Sequence, residues 1–169
     1  MKGWARSRAS PTEAGPEYRW GVVRHPLDRL VSAHSYFCRG EQPGVIKMGI
    51  CRGMPWDDFL HTALSNPYGD KHLRPQHINI GPHRFDRLGR LENLSAEWIE
   101  LQKRFPALGN IRWLTKTGHG AWETYYTDEQ RKRAETVFAA DVELYARSMD
   151  MQKNGTPPPV THKGKGGKY

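Results

Sequence analysis

The chain has 169 residues, enough for one domain with a hydrophobic core, and its 37% hydrophobic and 26% charged content implies a wet, charged surface. No run approaches the ~20 apolar residues of a membrane helix and residues 1–20 hold no apolar signal core, so the sequence reads as soluble. The net charge of +8 favours an anionic partner, yet half of it comes from four lysines in residues 153–169.

Residues 1–17 carry Pro11, Gly15 and Pro16 without a hydrophobic period and read as a flexible lead-in. "YRWGVV" (18–23) predicts a short strand of β-branched and aromatic residues. Pro26 suits a first helical position, and Leu27, Leu30, Val31, His34 and Cys38 form one stripe of a helix that stops at Gly40. Asp28, Arg29, Ser32 and Ser35 fall on its other face. Cys38 and Cys51 are too few for a disulfide scaffold and read as ordinary thiols.

After a glycine-rich loop, "PWDDFLHTAL" predicts a second helix with two aspartates in its first turn. "YGDKHLRPQHINIGPHR", with two prolines and three histidines, reads as an irregular surface segment, and "FDRLGRL" as a second strand. A third helix follows in "NLSAEWIELQKRF", with Leu94, Trp98, Leu101 and Phe105 on one stripe; Asn93 is a candidate cap. "NIRWLT" (110–115) is a candidate third strand. Residues 127–147 form the clearest helix, opened by a capping box of Thr127 and Gln130, with Ala134, Val137, Phe138, Asp141, Val142 and Tyr145 on one face. Residues 151–169 read as a disordered basic tail. Strands alternating with helices over 18–150 predict an α/β domain, a small parallel sheet flanked by helices.

An arginine at a strand end before a Pro-started helix makes a good anion site. Arg24 supplies the guanidinium fork, and Ser32 stands two helical turns further on the polar face. The same residues also fit a simpler reading, in which Arg24 pairs with a carboxylate and Ser32 is a solvated helix residue.

"VVRHPLDRLVSAHSYF" resembles the V-R-x-P-x-x-R-L-x-S-x-Y element of sulfotransferases that use 3'-phosphoadenosine 5'-phosphosulfate (PAPS), especially the chondroitin and dermatan carbohydrate sulfotransferases. His34 stands where that family has Tyr. "DKHLRPQ" is similar to the family's D-x-H-W-x-P-Q, "FDRLGRLENL" to its Y-D-x-x-G-R-x-E-N-L, and "TYYTDEQ" onward to its closing Y-Y-T-x-E helix. The four segments occur in family order across residues 18–147.

The resemblance implies a P-loop-NTPase-like sulfotransferase fold and in-line transfer of a sulfuryl group from PAPS to a carbohydrate hydroxyl. It also implies that Arg24 and Ser32 bind the nucleotide's 3'-phosphate. Arg90, at the second strand's end, is a further candidate for nucleotide contact, with a salt bridge to Glu92 or Glu97 as its alternative. His72 is the candidate base, with loop ordering or acceptor contact as its alternative.

The family's P-K-x-G-[ST]-T loop for the 5'-phosphosulfate is not among the 169 residues, so the expected domain is N-terminally truncated. Lys116, Thr117 and Gly118 are a weak substitute, because no helix opens directly after them. Two other readings follow: an inactive nucleotide- or glycan-binding remnant, and a basic nucleic-acid-binding protein that uses the lysine tail. No metal is expected, since His77 and His83 lack ligand spacing. Relatives of this family are often Golgi proteins; the sequence leaves the compartment open.

Overall fold

The computed structural model describes residues 18–38, 46–80, 85–111 and 118–154. The lead-in (1–17), most of "NIRWLT", His83, Lys116, Thr117 and the tail from 155 lie outside the described residues.

The order is β1 (Trp20–Val23), α1 (Pro26–Phe37), α2 (Trp56–Ser65), α3 (Gln76–Ile80), β2 (Arg87–Arg90), α4 (Leu94–Arg104), α5 (Asp128–Val137) and α6 (Ala139–Asn154). Short 3-10 turns cover Leu91–Asn93 and Trp122–Tyr125. The architecture is α/β: β1 and β2 pair in parallel, with Trp20 opposite Arg87 and Val23 opposite Arg90. Gly21 lets the chain run close to its neighbour, since a Cβ there would stand 2.8 Å from the Phe85 ring. Among the described residues no helix is long and apolar enough to cross a membrane.

The main core joins α1 (Leu27, Leu30, Phe37), α2 (Phe59, Leu60, Ala63) and the α5–α6 junction (Ala134, Phe138). Val23, Leu88 and Leu144 form a second cluster, where α6 lies against the sheet. The α1 stripe is broader than its periodicity predicts. Pro26, Asp28, Ala33 and Phe37 are buried beside Leu27, Leu30 and Val31, because α1 is enclosed by α2, α5, α6 and the 122–125 turn. His34 donates from Nε2 to the Met54 carbonyl at 2.9 Å and sets its ring against Trp56 and Phe59. It therefore joins α1 to α2.

Four expectations change. Residues 68–80 are not simply a surface loop: Leu73 and Pro75 are fully buried, and 76–80 form α3. Arg29, from the face of α1 expected to be exposed, donates to the carbonyls of His72 and Leu73 at 2.8 and 3.0 Å and ties the segment down. The last helix breaks at Phe138, whose φ of −106° and ψ of 27° depart from helix and separate α5 from α6, while the capping box at Thr127 and Gln130 is present. Asn93 makes no side-chain cap, because a 3-10 turn precedes α4. On α4, Glu97 is buried beside Leu101, since it accepts from Arg87 Nε at 2.9 Å.

Candidate functional site

Parallel pairing brings the carboxyl ends of β1 and β2 together, the position where open α/β sheets gather ligands. Arg24 and His25 leave β1 there, and the Glu92 side chain accepts from the His25 backbone N–H at 2.8 Å. The His25 ring stacks on Trp122 at 4.4 Å and meets the edge of Tyr145 at 5.0 Å. Burial lowers the His25 pKa, against the opposing pull of the Glu92 and Asp28 carboxylates.

Arg24 is held at both its backbone and its head. Gln76 accepts the Arg24 N–H through Oε1 at 2.9 Å and donates from Nε2 to the Arg24 carbonyl at 2.8 Å, pairing with both backbone groups as a neighbouring strand would. The guanidinium gives Nε to Asp28 Oδ2 at 2.6 Å and Nη2 to His119 Nε2 at 2.9 Å. Asp28 is the i+4 neighbour of Arg24, on the first turn of α1, where a carboxylate also complements the helix dipole. Arg24 Nη1 makes no hydrogen bond to the described residues. The carboxylate pairing weighed against an anion site is thus present, with one nitrogen of the fork left over.

Asp141 organises the opposite side. Fully buried, it accepts from the backbone N–H groups of Gln76 and His77 at 2.6 and 2.9 Å and meets His77 Nδ1 at 2.8 Å. The Arg29 guanidinium lies 3.9 Å from its other oxygen. Burial lowers the Arg29 pKa and Asp141 counters that fall. One carboxylate from α6 thereby fixes the start of α3, and with it Gln76 against Arg24.

Ser32, half-buried, follows Asp28 by one further turn of α1, so Arg24, Asp28 and Ser32 form one row. Arg90 hydrogen-bonds Tyr145, whose phenol pKa is raised by burial first and by Glu92 second. Of the two salt-bridge partners weighed for Arg90, Glu97 instead takes Arg87. His72 stands elsewhere. Its Nδ1 meets Asp70 Oδ1 at 2.7 Å and its ring rests by Tyr36 and Phe37, at the far end of α1. At about 1.5 Å per residue, that end is roughly 14 Å from the Asp28 turn. The structure therefore joins Arg24, Asp28 and Arg90 to one end of α1 and places His72 at the other.

Three site residues escaped the sequence reading. His119 directly follows the weak substitute loop at 116–118 and has no signal of its own, and Gln76 closes the family-like segment "DKHLRPQ". Asp141 had a signal, as a carboxylate on the apolar face of a helix. Among the described residues no group of three or more His, Cys, Asp or Glu could hold a metal.

Tyr126 closes the site from the 122–126 side, donating its hydroxyl to the Leu27 carbonyl at 2.9 Å. Burial, then Asp28, raises its pKa well above the ordinary 10.0. The folded state therefore keeps a proton that the unfolded state releases above about pH 10, so stability falls as pH rises past that point. Tyr126→Phe is expected to lose about 1 kcal/mol at pH 7 and to show a flatter alkaline limb in urea unfolding. An unchanged alkaline limb would refute this assignment.

No family model matches the chain, and no curated protein or solved structure matches it.

Proposed function

We propose that this chain is part of a PAPS-dependent sulfotransferase of P-loop-NTPase-like fold, which transfers a sulfuryl group to a carbohydrate hydroxyl. The supporting observation is the Arg24 corner: a strand-end guanidinium whose Nη1 makes no hydrogen bond to the described residues, at the start of a Pro-initiated helix that carries Ser32 in the same row. In this reading Arg24 and Ser32 hold the 3'-phosphate and Arg90 supports the nucleotide from the neighbouring strand. His72 serves the acceptor side: Asp70 takes its Nδ1–H, which leaves Nε2 as the basic nitrogen.

The test is thermal unfolding with adenosine 3',5'-bisphosphate and with 5'-AMP. Ligand at about 100 times Kd stabilises by about 2.7 kcal/mol, which raises the midpoint of a domain this size by about 5–10 °C. The shift is expected with the bisphosphate, not with 5'-AMP, and is expected to vanish in Arg24→Ala and Ser32→Ala. Equal shifts with both nucleotides would sink the site. Sulfate transfer from labelled PAPS to a glycan panel then separates an enzyme from a binding remnant.

The 2.6 Å Arg24–Asp28 pair favours a second reading, in which Arg24 is structural. Its signature is an Arg24→Ala variant that loses stability equally with and without nucleotide.

A further inference from the structure

His119 enters the site on the stretch before the Trp122–Tyr125 turn, with only 9% of its side chain exposed. Nδ1 lies 2.9 Å from the Gly120 carbonyl, and Nε2 lies 2.9 Å from Arg24 Nη2. A carbonyl can only accept and a guanidinium can only donate. The proton therefore sits on Nδ1, and Nε2 offers its lone pair to Arg24. The same Nε2 is 3.5 Å from Asp28 Oδ1, while Asp28 Oδ2 holds Arg24 Nε at 2.6 Å. Among the described residues, the charged and titratable groups facing the ring are Arg24 from the end of β1, Asp28 from α1 and Tyr125 from the 3-10 turn, edge-on at 6.5 Å.

We propose that His119 is a positioning residue for Arg24 and makes anion binding there depend on a proton. Neutral, it holds the guanidinium beside Asp28; protonated on Nε2, it turns to Asp28 and releases Arg24 toward an incoming phosphate. The proposal rests on the reading that Arg24 binds the 3'-phosphate. The step adds one solvent proton to Nε2, breaks the hydrogen bond from Arg24 Nη2 and forms one to Asp28 Oδ1. The trio changes from zero net charge to plus one. An anion that prefers the plus-one form must raise the proton affinity of the ring, so binding takes up a proton and tightens as pH falls.

The full chain and His119→Gln are titrated with adenosine 3',5'-bisphosphate between about pH 8 and about pH 5. The glutamine Oε1 accepts from Arg24 but does not titrate, and the ligand's own phosphate titration is common to both proteins. The affinity of the unmodified chain relative to His119→Gln is expected to rise about fivefold or more as pH falls. His119→Asn, which keeps only the bond to Gly120, is expected to lose the pH response as well.

A pH-flat ratio, with Arg24→Ala still abolishing binding, overturns the proton gate and leaves the nucleotide reading standing. Binding indifferent to Arg24→Ala sinks that reading and the gate with it. Ring 15N spectra of the unmodified chain test the positioning independently. The Nδ1–H tautomer is expected, and an Nε2–H tautomer overturns it.

Discussion

Asp141→Ala is expected to cost about 3–5 kcal/mol of unfolding free energy, the loss incurred when one partner of a buried ionic cluster is removed. Against a total of about 5–15 kcal/mol, that leaves a domain close to unfolding. The carboxylate is wholly buried and satisfies two backbone N–H groups and the His77 ring, with the Arg29 charge nearby. Alanine would leave the two backbone N–H groups and the half-exposed His77 ring without their acceptor and the Arg29 charge without its nearest carboxylate. Asp141→Asn keeps the shape and one acceptor oxygen, so its loss should be smaller. Glu143, exposed two residues further along α6, gives the control: Glu143→Ala should stay within about 0.5 kcal/mol. Urea unfolding measures all three, and an Asp141→Ala loss below about 1 kcal/mol would refute the cluster's importance. The damage should also reach Arg24, since freeing the start of α3 loosens the Gln76 clamp on its backbone.

How far the sequence reveals this arrangement depends on where each signal lies. β1, α1, α2, β2 and α4 are legible because their hydrophobic periods and stop signals are local, as Pro26 and the Pro55-led helix illustrate. Leu73 was not legible as core. It is a single apolar residue in a polar segment, and Arg29, 44 positions away, holds it in place. The break falls at Phe138, a buried ring, with no Gly or Pro in the sequence to announce it. At the site, Arg24 stood out through its strand-end position. Its partner Asp28 was readable at i+4, but the reading placed it on a solvated face. Gln76 and His119 lie 52 and 95 positions from Arg24, so only the folded chain brings them to it. Local patterning thus drew attention to Arg24, and long-range packing decided how that arginine is held.

Phe138→Ala carries the second large expected loss, again about 3–5 kcal/mol, for a truncated buried aromatic ring. Phe138 is 1% exposed in the main core, and Arg29 stands over its ring at 5.8 Å. The two costliest sites therefore share one neighbour: Arg29 meets Phe138 through its ring and Asp141 through its charge. Shared neighbours break additivity, typically by about 0.5–3 kcal/mol. Once Asp141 is gone, Arg29 has less reason to stay over the ring, and removing the ring should then cost less than it does alone. Phe138→Leu combined with Asp141→Asn keeps the cycle measurable in a marginally stable domain. The pair is expected to lose less than the sum of the single losses. Additivity within about 0.3–0.5 kcal/mol would mean that the ring and the carboxylate act separately, and that Arg29 does not couple the core to the segment that holds Arg24.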